Sequence, residues 1–193
     1  IGASGHAKVI IDIVRKASSY RIVGLVDDDK TKIGTDFQGL GVLGNLELLN
    51  TLVVKRAVIA IGCNVSRCRV ANTLKLLEYE FPTCIHPTAI IGEDVSIGEG
   101  TVVMANAVIN PGTRIGRHCI INTAATVDHD NSIDDFVHLS PGCNLAGNVT
   151  IRTEVHCGTG VIAIPGTSIG EKSIVGAGAV VISDIPNNCT AVG

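Results

Sequence analysis

The residues best suited to acid–base chemistry in this 193-residue chain are a histidine and its two flanking carboxylates, Asp128-His129-Asp130. A histidine with an ordinary pKa can take a proton from an amine or a hydroxyl at neutral pH. A neighbouring carboxylate can orient the ring and stabilise the imidazolium, as in other His-based catalytic systems. His129 is therefore the candidate general base of the chain.

Residue chemistry alone leaves two alternatives open. A histidine flanked by aspartates at an exposed corner can simply be solvated. His138 and His156 are 18 residues apart, so a three-histidine zinc site is the other alternative. His129 does not occupy a position equivalent to those two, and we expect no metal.

A six-residue repeat positions these histidines and runs from Ile85 to Pro186 without an insertion. Fifteen of its seventeen leading residues are Ile, Leu or Val, and a small or β-branched residue usually follows four places later. This period matches neither an α-helix nor a single strand, but it is typical of a parallel β-helix. Three repeats form one coil of such a triangular solenoid. We therefore expect His138 and His156 to stack, and His129 to lie at an outward corner.

The composition is consistent with a narrow solenoid interior, because aromatic residues make up 3% of the chain and Trp is absent. The net charge is −3 and the pI is about 6.0, which argues against nucleic-acid binding. No apolar run is long enough to cross a membrane. The seven cysteines are odd in number and form no C-x-x-C motif, which predicts free thiols and a cytoplasmic protein.

The first part of the chain has a different pattern, and we predict two domains with the bounds 1–82 and 83–193. A Gly-rich turn, residues 2–6, precedes a helical pattern over residues 7–16. Strands are predicted at 21–26 and 57–61, and a second helix at 67–77. Alternating strands and helices indicate an α/β domain with a Rossmann-like parallel sheet. The chain begins in what reads as the end of a strand and stops at Gly193, so we expect residues missing at both ends.

Ligands of such sheets bind at the carboxyl ends of the strands, where the Gly-rich turn, Asp27, Asp28 and Gly62 lie. The spacing Gly2-x-x-Gly5 is shorter than the dinucleotide fingerprint, which disfavours NAD. Free N–H groups at a helix start suit phosphate, and the aspartates suit hydroxyls or a base edge. We therefore predict a nucleoside diphosphate ligand here.

Several motifs together carry a resemblance to a known family. They are Gly-Ala-Ser-Gly-His-Ala-Lys-Val, Val-Asp-Asp-Asp, Ala-Ile-Gly-Cys-Asn, Ile-His-Pro-Thr-Ala, Asn-Thr-Ala-Ala-Thr-Val-Asp-His-Asp and His-Leu-Ser-Pro-Gly. With the repeats, they resemble the sialic acid O-acetyltransferase (NeuD-like) family of left-handed β-helix acyltransferases. This family includes the bacterial UDP-4-amino-sugar N-acetyltransferases (PglD-like), and the resemblance covers essentially the whole chain.

The resemblance implies direct transfer of an acetyl group from acetyl-CoA to the amine of a UDP-linked 4-amino-sugar. It also implies a homotrimer with acetyl-CoA in the cleft between neighbouring solenoids. His129 would be the general base and Asp130 its acidic neighbour, where some relatives have Glu. The implied nucleotide-sugar contacts are Ser4, Gly5, His6, Asp27, Asp28 and Gly62, and the implied acetyl-CoA contacts are His138, Thr159 and Ala177. O-acetylation of a sugar such as sialic acid, and a non-catalytic nucleotide-sugar-binding scaffold, are the alternatives.

Overall fold

The structure, a computed structural model, describes residues 1–193 and begins with an α/β unit. Helix α1 spans Gly5–Ala17 and buries Ile10, Ile13 and Val14 on one face, and Ser18 ends it in the left-handed conformation. The remaining elements of this unit are β1 Leu25–Val26, β2 Asp36–Phe37, β3 Leu40–Gly44, a 3-10 helix Leu46–Asn50 and α2 Asn64–Leu76. β1 pairs with β3 in parallel, and β2 pairs with β3 antiparallel.

Two predicted strands are shorter than expected. Only Leu25 and Val26 of the segment 21–26 form a strand, and residues 57–61 form none. Ile1 and Gly2 lie between these segments: the Ala60 N–H donates to the Ile1 carbonyl at 2.7 Å, and the Gly2 N–H donates to the Val26 carbonyl at 2.8 Å. Because Ile1 and Gly2 are the two residues that connect the segments, the parallel ladder between 21–26 and 57–61 is short. The predicted class, α/β followed by a parallel β-helix of hexapeptide repeats, is confirmed.

The rest of the chain is a β-helix of two-residue strands, β4 to β21, arranged on three faces. Up to β20, each strand residue pairs in parallel with a residue 18 positions away, as His138 does with His156 and Thr126 with Asn144. Three hexads therefore make one coil, as predicted. The last coil is two residues shorter, because Ile174 pairs with Thr190.

Face 1 holds β4 Cys84–Ile85, β7 Val102–Val103, β10 Ile120–Ile121, β13 His138–Leu139, β16 His156–Cys157, β19 Ile174–Val175 and β21 Thr190–Ala191. Face 2 holds β5 Ile90–Ile91, β8 Val108–Ile109, β11 Thr126–Val127, β14 Asn144–Leu145, β17 Ile162–Ala163 and β20 Val180–Val181. Face 3 holds β6 Ser96–Ile97, β9 Arg114–Ile115, β12 Ser132–Ile133, β15 Thr150–Ile151 and β18 Ser168–Ile169.

The interior of the β-helix is one continuous apolar core of 23 buried residues. The second residue of almost every strand points into it, together with the small residues of the corners. Cys119, Cys143 and Cys157 are fully buried there, and burial raises the pKa of Cys143 to about 11. These thiols therefore pack as small hydrophobic groups.

The outward residues give each face a different character. The α/β unit covers the first coils of face 1, where α1 packs against Cys84, Val102 and Ile120. Face 3 is polar, with Ser, Thr and Arg at its outward positions. Face 2 exposes Ile90, Ile162 and Val180. No helix has the length and apolar character that a membrane span requires.

Candidate active site

His129 lies in the turn after β11, at the corner between faces 2 and 3. Its Nδ1 is 2.8 Å from Asp130 Oδ2, so the aspartate side chain is long enough to reach the ring. An ionised carboxylate only accepts hydrogen bonds, so Nδ1 carries the proton and Nε2 retains a free lone pair. The His129 side chain is 60% exposed. The arrangement presents a basic nitrogen at the outer edge of the solenoid.

The charges around His129 favour its protonated form. The hydrogen bond that His129 donates to Asp130 raises the pKa of His129, and the charge of Asp128 acts in the same direction. Asp128 forms no hydrogen bond with the ring. Its Oδ1 accepts from the His129 backbone N–H at 2.8 Å and from Asn110 Nδ2 at 2.9 Å, and these bonds lower the pKa of Asp128. Asp128 therefore shapes the turn, and Asp130 orients the imidazole.

A buried amide at Asn131 holds this turn in place. Its Nδ2 donates to the carbonyls of Asp128 at 2.6 Å and Ala146 at 3.0 Å, and its Oδ1 accepts from the Val149 N–H at 2.9 Å. Sequence reasoning missed this residue. The available signal was a polar side chain at a repeat position that otherwise carries small or β-branched residues.

Two glycines leave the space that the His129–Asp130 pair occupies. Gly147 lies one coil after His129, and a Cβ built on it would be 2.7 Å from His129 Cε1 and Nε2. Gly112 lies one coil before Asp130, and its Cβ would be 2.7 Å from Asp130 Oδ1. Any larger residue at either position would displace the pair.

His138 lies on face 1, where the α/β unit covers it. Its Nδ1 is 3.3 Å from the Gly62 carbonyl oxygen, and its Nε2 is 3.1 Å from Asn122 Nδ2. Its ring stacks on that of His156 with centroids 4.8 Å apart, as the spacing of 18 predicted. Burial, reinforced by His156, lowers the pKa of His138 to about 3. The ring is therefore neutral and serves as a hydrogen-bonding element.

Three of the predicted nucleotide-sugar residues, Ser4, Gly5 and His6, lie at the start of α1. Ser4 and Gly5 are exposed, and a side chain built on Gly5 would meet no atom within 4 Å. His6 Nε2 is buried without a hydrogen-bond partner, and burial lowers the pKa of His6 to about 4. The first N–H groups of the helix lack intrahelical acceptors, which suits an anion.

The two aspartates after β1 both bind backbone. Asp27 Oδ2 accepts from the Ala3 N–H at 2.7 Å and from Lys32 Nζ at 3.1 Å, so Asp27 shapes the Gly-rich turn. Asp28 is exposed, and its Oδ1 accepts from the Leu46 N–H at 3.0 Å. Its second oxygen forms no hydrogen bond within the chain.

The structure sorts the candidate residues into separate places within one chain. Gly62 and His138 meet at face 1, near the Gly-rich turn. Thr159 and Ala177 are exposed on successive coils at the corner between faces 1 and 2. His129 lies across face 2 from them, so one chain does not bring it against these residues. No group of three His, Cys, Asp or Glu side chains is close enough to hold a metal, so the three-histidine zinc site is not assembled.

Comparisons with known proteins agree with this architecture. Residues 1–74 match the PglD N-terminal domain, and residues 94–129 match the bacterial transferase hexapeptide (six repeats). PerB from Caulobacter crescentus, solved with CoA and GDP-perosamine, is 36% identical with a TM-score of 0.95, over 100% of this chain and 91% of that one. The acetyltransferase domain of PglB from Neisseria gonorrhoeae, solved with acetyl coenzyme A, is 38% identical with a TM-score of 0.94, over 100% and 93%.

Two curated relatives add sequence support. The GDP-perosamine N-acetyltransferase of Escherichia coli O157:H7 is 29% identical over 184 residues, which cover 92% of this chain and 81% of that protein. The UDP-N-acetylbacillosamine N-acetyltransferase of Bacillus subtilis is 44% identical over 107 residues, covering 54% and 50%. Fold and site thus define a left-handed β-helix acyltransferase that uses acetyl-CoA. Within that class, the chain belongs to the PglD-like family of sugar N-acetyltransferases, as its motifs predicted.

Replacing Asp130 by Asn should lower the pKa of His129 towards 6.5, because the hydrogen bond to the carboxylate is the main cause that raises it. Titration of the His129 ring by NMR measures this pKa. Asp94→Asn is the matched control, since Asp94 occupies the same left-handed corner position two coils earlier. An unchanged titration in the Asp130 variant would contradict the pairing.

Proposed function

We propose that this protein transfers the acetyl group of acetyl-CoA to the amine of a UDP-linked 4-amino-sugar, with His129 as general base. The observation that carries the proposal is the His129–Asp130 pair, in which Nδ1 is bound and Nε2 is free at an exposed edge. A GDP-linked amino sugar is the second candidate acceptor, because PerB, a full-length structural match, was solved with GDP-perosamine.

The proposed reaction is a direct transfer. The nitrogen of the sugar amine attacks the thioester carbonyl while Nε2 of His129 takes a proton from that amine. Backbone N–H groups stabilise the oxyanion that forms. The C–N bond forms, the C–S bond breaks, and the imidazolium returns the proton to the CoA thiolate. The Asp130 carboxylate stabilises the imidazolium between these steps. No Cys or Ser side chain is hydrogen-bonded to the His129 ring, which supports a mechanism without an acyl-enzyme.

The α/β unit, residues 1–82, is the proposed nucleotide-sugar domain. The diphosphate would lie at the start of α1, where free N–H groups and the helix dipole attract an anion. Asp28 has a free oxygen for a hydroxyl or a base edge, and Asp27 would contribute through the turn that it holds. The proposed contacts remain Ser4, Gly5, His6, Asp27, Asp28 and Gly62.

The β-helix, residues 83–193, is the proposed acetyl-CoA domain of a homotrimer. Its contacts would be His138, Thr159 and Ala177. Face 2 separates the corner that carries Thr159 from the corner that carries His129, and it exposes Ile162 and Val180. A second copy packed on this face would cover those residues and form a cleft beside His129. We also propose a cytoplasmic location, which the seven unpaired cysteines support.

Light scattering in solution tests this assembly. We expect a trimer for the wild-type chain and a smaller species for Ile162→Glu, because a charge would then be buried in the interface. Arg114→Glu on polar face 3 is the control and should leave the mass unchanged. A monomeric wild-type protein would contradict the proposed cleft.

Replacing His129 by Ala should lower kcat by about 10²- to 10⁴-fold, the usual contribution of a general base. Acetyl-CoA affinity should be retained, because the proposed CoA contacts lie on other coils. Release of CoA thiol measures the rate, and calorimetry measures binding. Asp94→Asn is the control with wild-type activity expected. If the His129 variant keeps its activity, the base has been assigned wrongly.

The acceptor is identified with a panel of UDP-linked and GDP-linked amino sugars together with free sialic acid. We expect CoA release with a nucleotide-linked amine. Release with sialic acid alone would favour O-acetylation. Nucleotide-sugar binding without CoA release from any acceptor would indicate a non-catalytic scaffold.

Gly147→Ala should lower kcat because the added methyl group would displace the His129 ring. In the His129→Ala background the same substitution should have little further effect, since no ring remains to be displaced. A double-mutant cycle on kcat compares the two. Equal losses in both backgrounds would show that Gly147 acts through some other contact.

A further inference from the structure

One charged side chain is fully buried in this protein, and none of the candidate sites above includes it. Arg67, in the first turns of α2, is 1% exposed. Burial lowers the pKa of Arg67 to about 10, so the guanidinium remains charged at neutral pH. A buried charge is costly unless its hydrogen bonds are satisfied, and none of the hydrogen bonds that Arg67 donates goes to a carboxylate.

Five oxygen atoms satisfy the guanidinium instead. Nε donates to the His118 carbonyl at 2.8 Å, and Nη1 donates to the carbonyls of Ile61 at 3.0 Å and Gly62 at 3.1 Å. Nη2 donates to Asn64 Oδ1 at 2.8 Å and to the Phe136 carbonyl at 2.9 Å. The Arg67 guanidinium therefore joins the α/β unit to the β-helix.

The contacts on the β-helix are evenly spaced. His118, Phe136 and Glu154 are 18 residues apart and share the left-handed corner conformation. Arg67 binds the first two carbonyls, and Asn64 Nδ2 donates to the carbonyls of Glu154 at 2.9 Å and Val155 at 3.0 Å. Asn64 and Arg67 lie three residues apart on α2, so one helical turn binds three consecutive coils.

The same network reaches both proposed substrate sites. The Gly62 carbonyl that accepts from Arg67 also lies 3.3 Å from His138 Nδ1. Gly62 belongs to the proposed nucleotide-sugar contacts, and His138 belongs to the proposed acetyl-CoA contacts. A shift of α2 along the coils would break the bonds to the carbonyls of His118, Phe136, Glu154 and Val155 together.

We propose that Arg67 and Asn64 are positioning residues that fix the register of the nucleotide-sugar domain on the β-helix, and so place the sugar amine relative to the acetyl group. The proposal rests on the proposed function. Neither residue is assigned a contact with the reacting atoms. A lysine cannot replace Arg67, because a single ammonium group lacks the planar fork that reaches five oxygens.

The test compares steady-state kinetics of Arg67→Lys and Asn64→Ala with the wild-type protein. We expect kcat to fall by about ten- to a hundredfold, as misplaced reactants do. The KM for each substrate should change little, because each domain keeps its own binding groups. Arg69→Lys, an exposed position on the same helix, is the matched control and should behave as the wild type.

Circular dichroism and acetyl-CoA affinity show whether each variant is folded. Asn64→Ala keeps the test decisive if Arg67→Lys does not fold, because it removes only the bonds to Glu154, Val155 and Arg67. In folded protein, the double variant should lose less than the sum of the single losses, since the two residues act as one unit. The proposed positioning role of Arg67 and Asn64 is wrong if the folded variants keep the wild-type kcat, or if they lose activity through KM alone.

The activity of the wild-type protein distinguishes failure of the positioning role from failure of the proposed function. If the wild type transfers acetyl groups and both variants do so equally well, the positioning role is wrong and the proposed function stands. If the wild type releases no CoA with any acceptor, the proposed function is wrong and the positioning role falls with it.

Discussion

The parallel register of 18 residues per coil is the constraint on which the rest of this structure depends. Each strand residue pairs with the residue one coil later, so every side chain has fixed neighbours above and below. This register stacks His156 on His138 and places Gly147 beside the ring of His129. A residue inserted between His129 and Gly147 would break this spacing and move Gly147 away from the ring. The uninterrupted repeat is therefore a requirement of the site as well as of the core.

The second determinant is the junction between the α/β unit and face 1. Two of the three phenylalanines in the chain are located there, and they enclose His118 with ring centroids 4.6 Å and 5.1 Å away. Arg67 is anchored beside this cluster through the His118 and Phe136 carbonyls. Apolar packing and a fully satisfied buried charge act together, so the two domains have one preferred relative position.

The same residue type has opposite properties in different parts of the molecule. His6, His118 and His138 are buried, and their pKa values fall to about 4, 4 and 3 because burial penalises the charged ring. His129 lies at an edge beside two aspartates, and its pKa rises. The environment therefore separates the neutral, buried rings of His6, His118 and His138 from the exposed ring of His129, whose protonated form is favoured.

The sequence by itself determined the β-helix, its coil length, the buried thiols, the His138–His156 stack and the corner position of His129. These features follow from a six-residue repeat that occurs seventeen times in the sequence, so the sequence pattern is enough to predict them. The sequence pattern overestimated the length of the strands at 21–26 and 57–61. Strand length depends on which backbone segment lies alongside, and the pattern does not contain that information. Only the tertiary structure showed that Asp130 orients the ring while Asp128 holds the turn, and that Asn131 and Arg67 are buried. These roles depend on contacts between residues distant in the sequence, such as the bond from Arg67 to Phe136, and no local spacing encodes them.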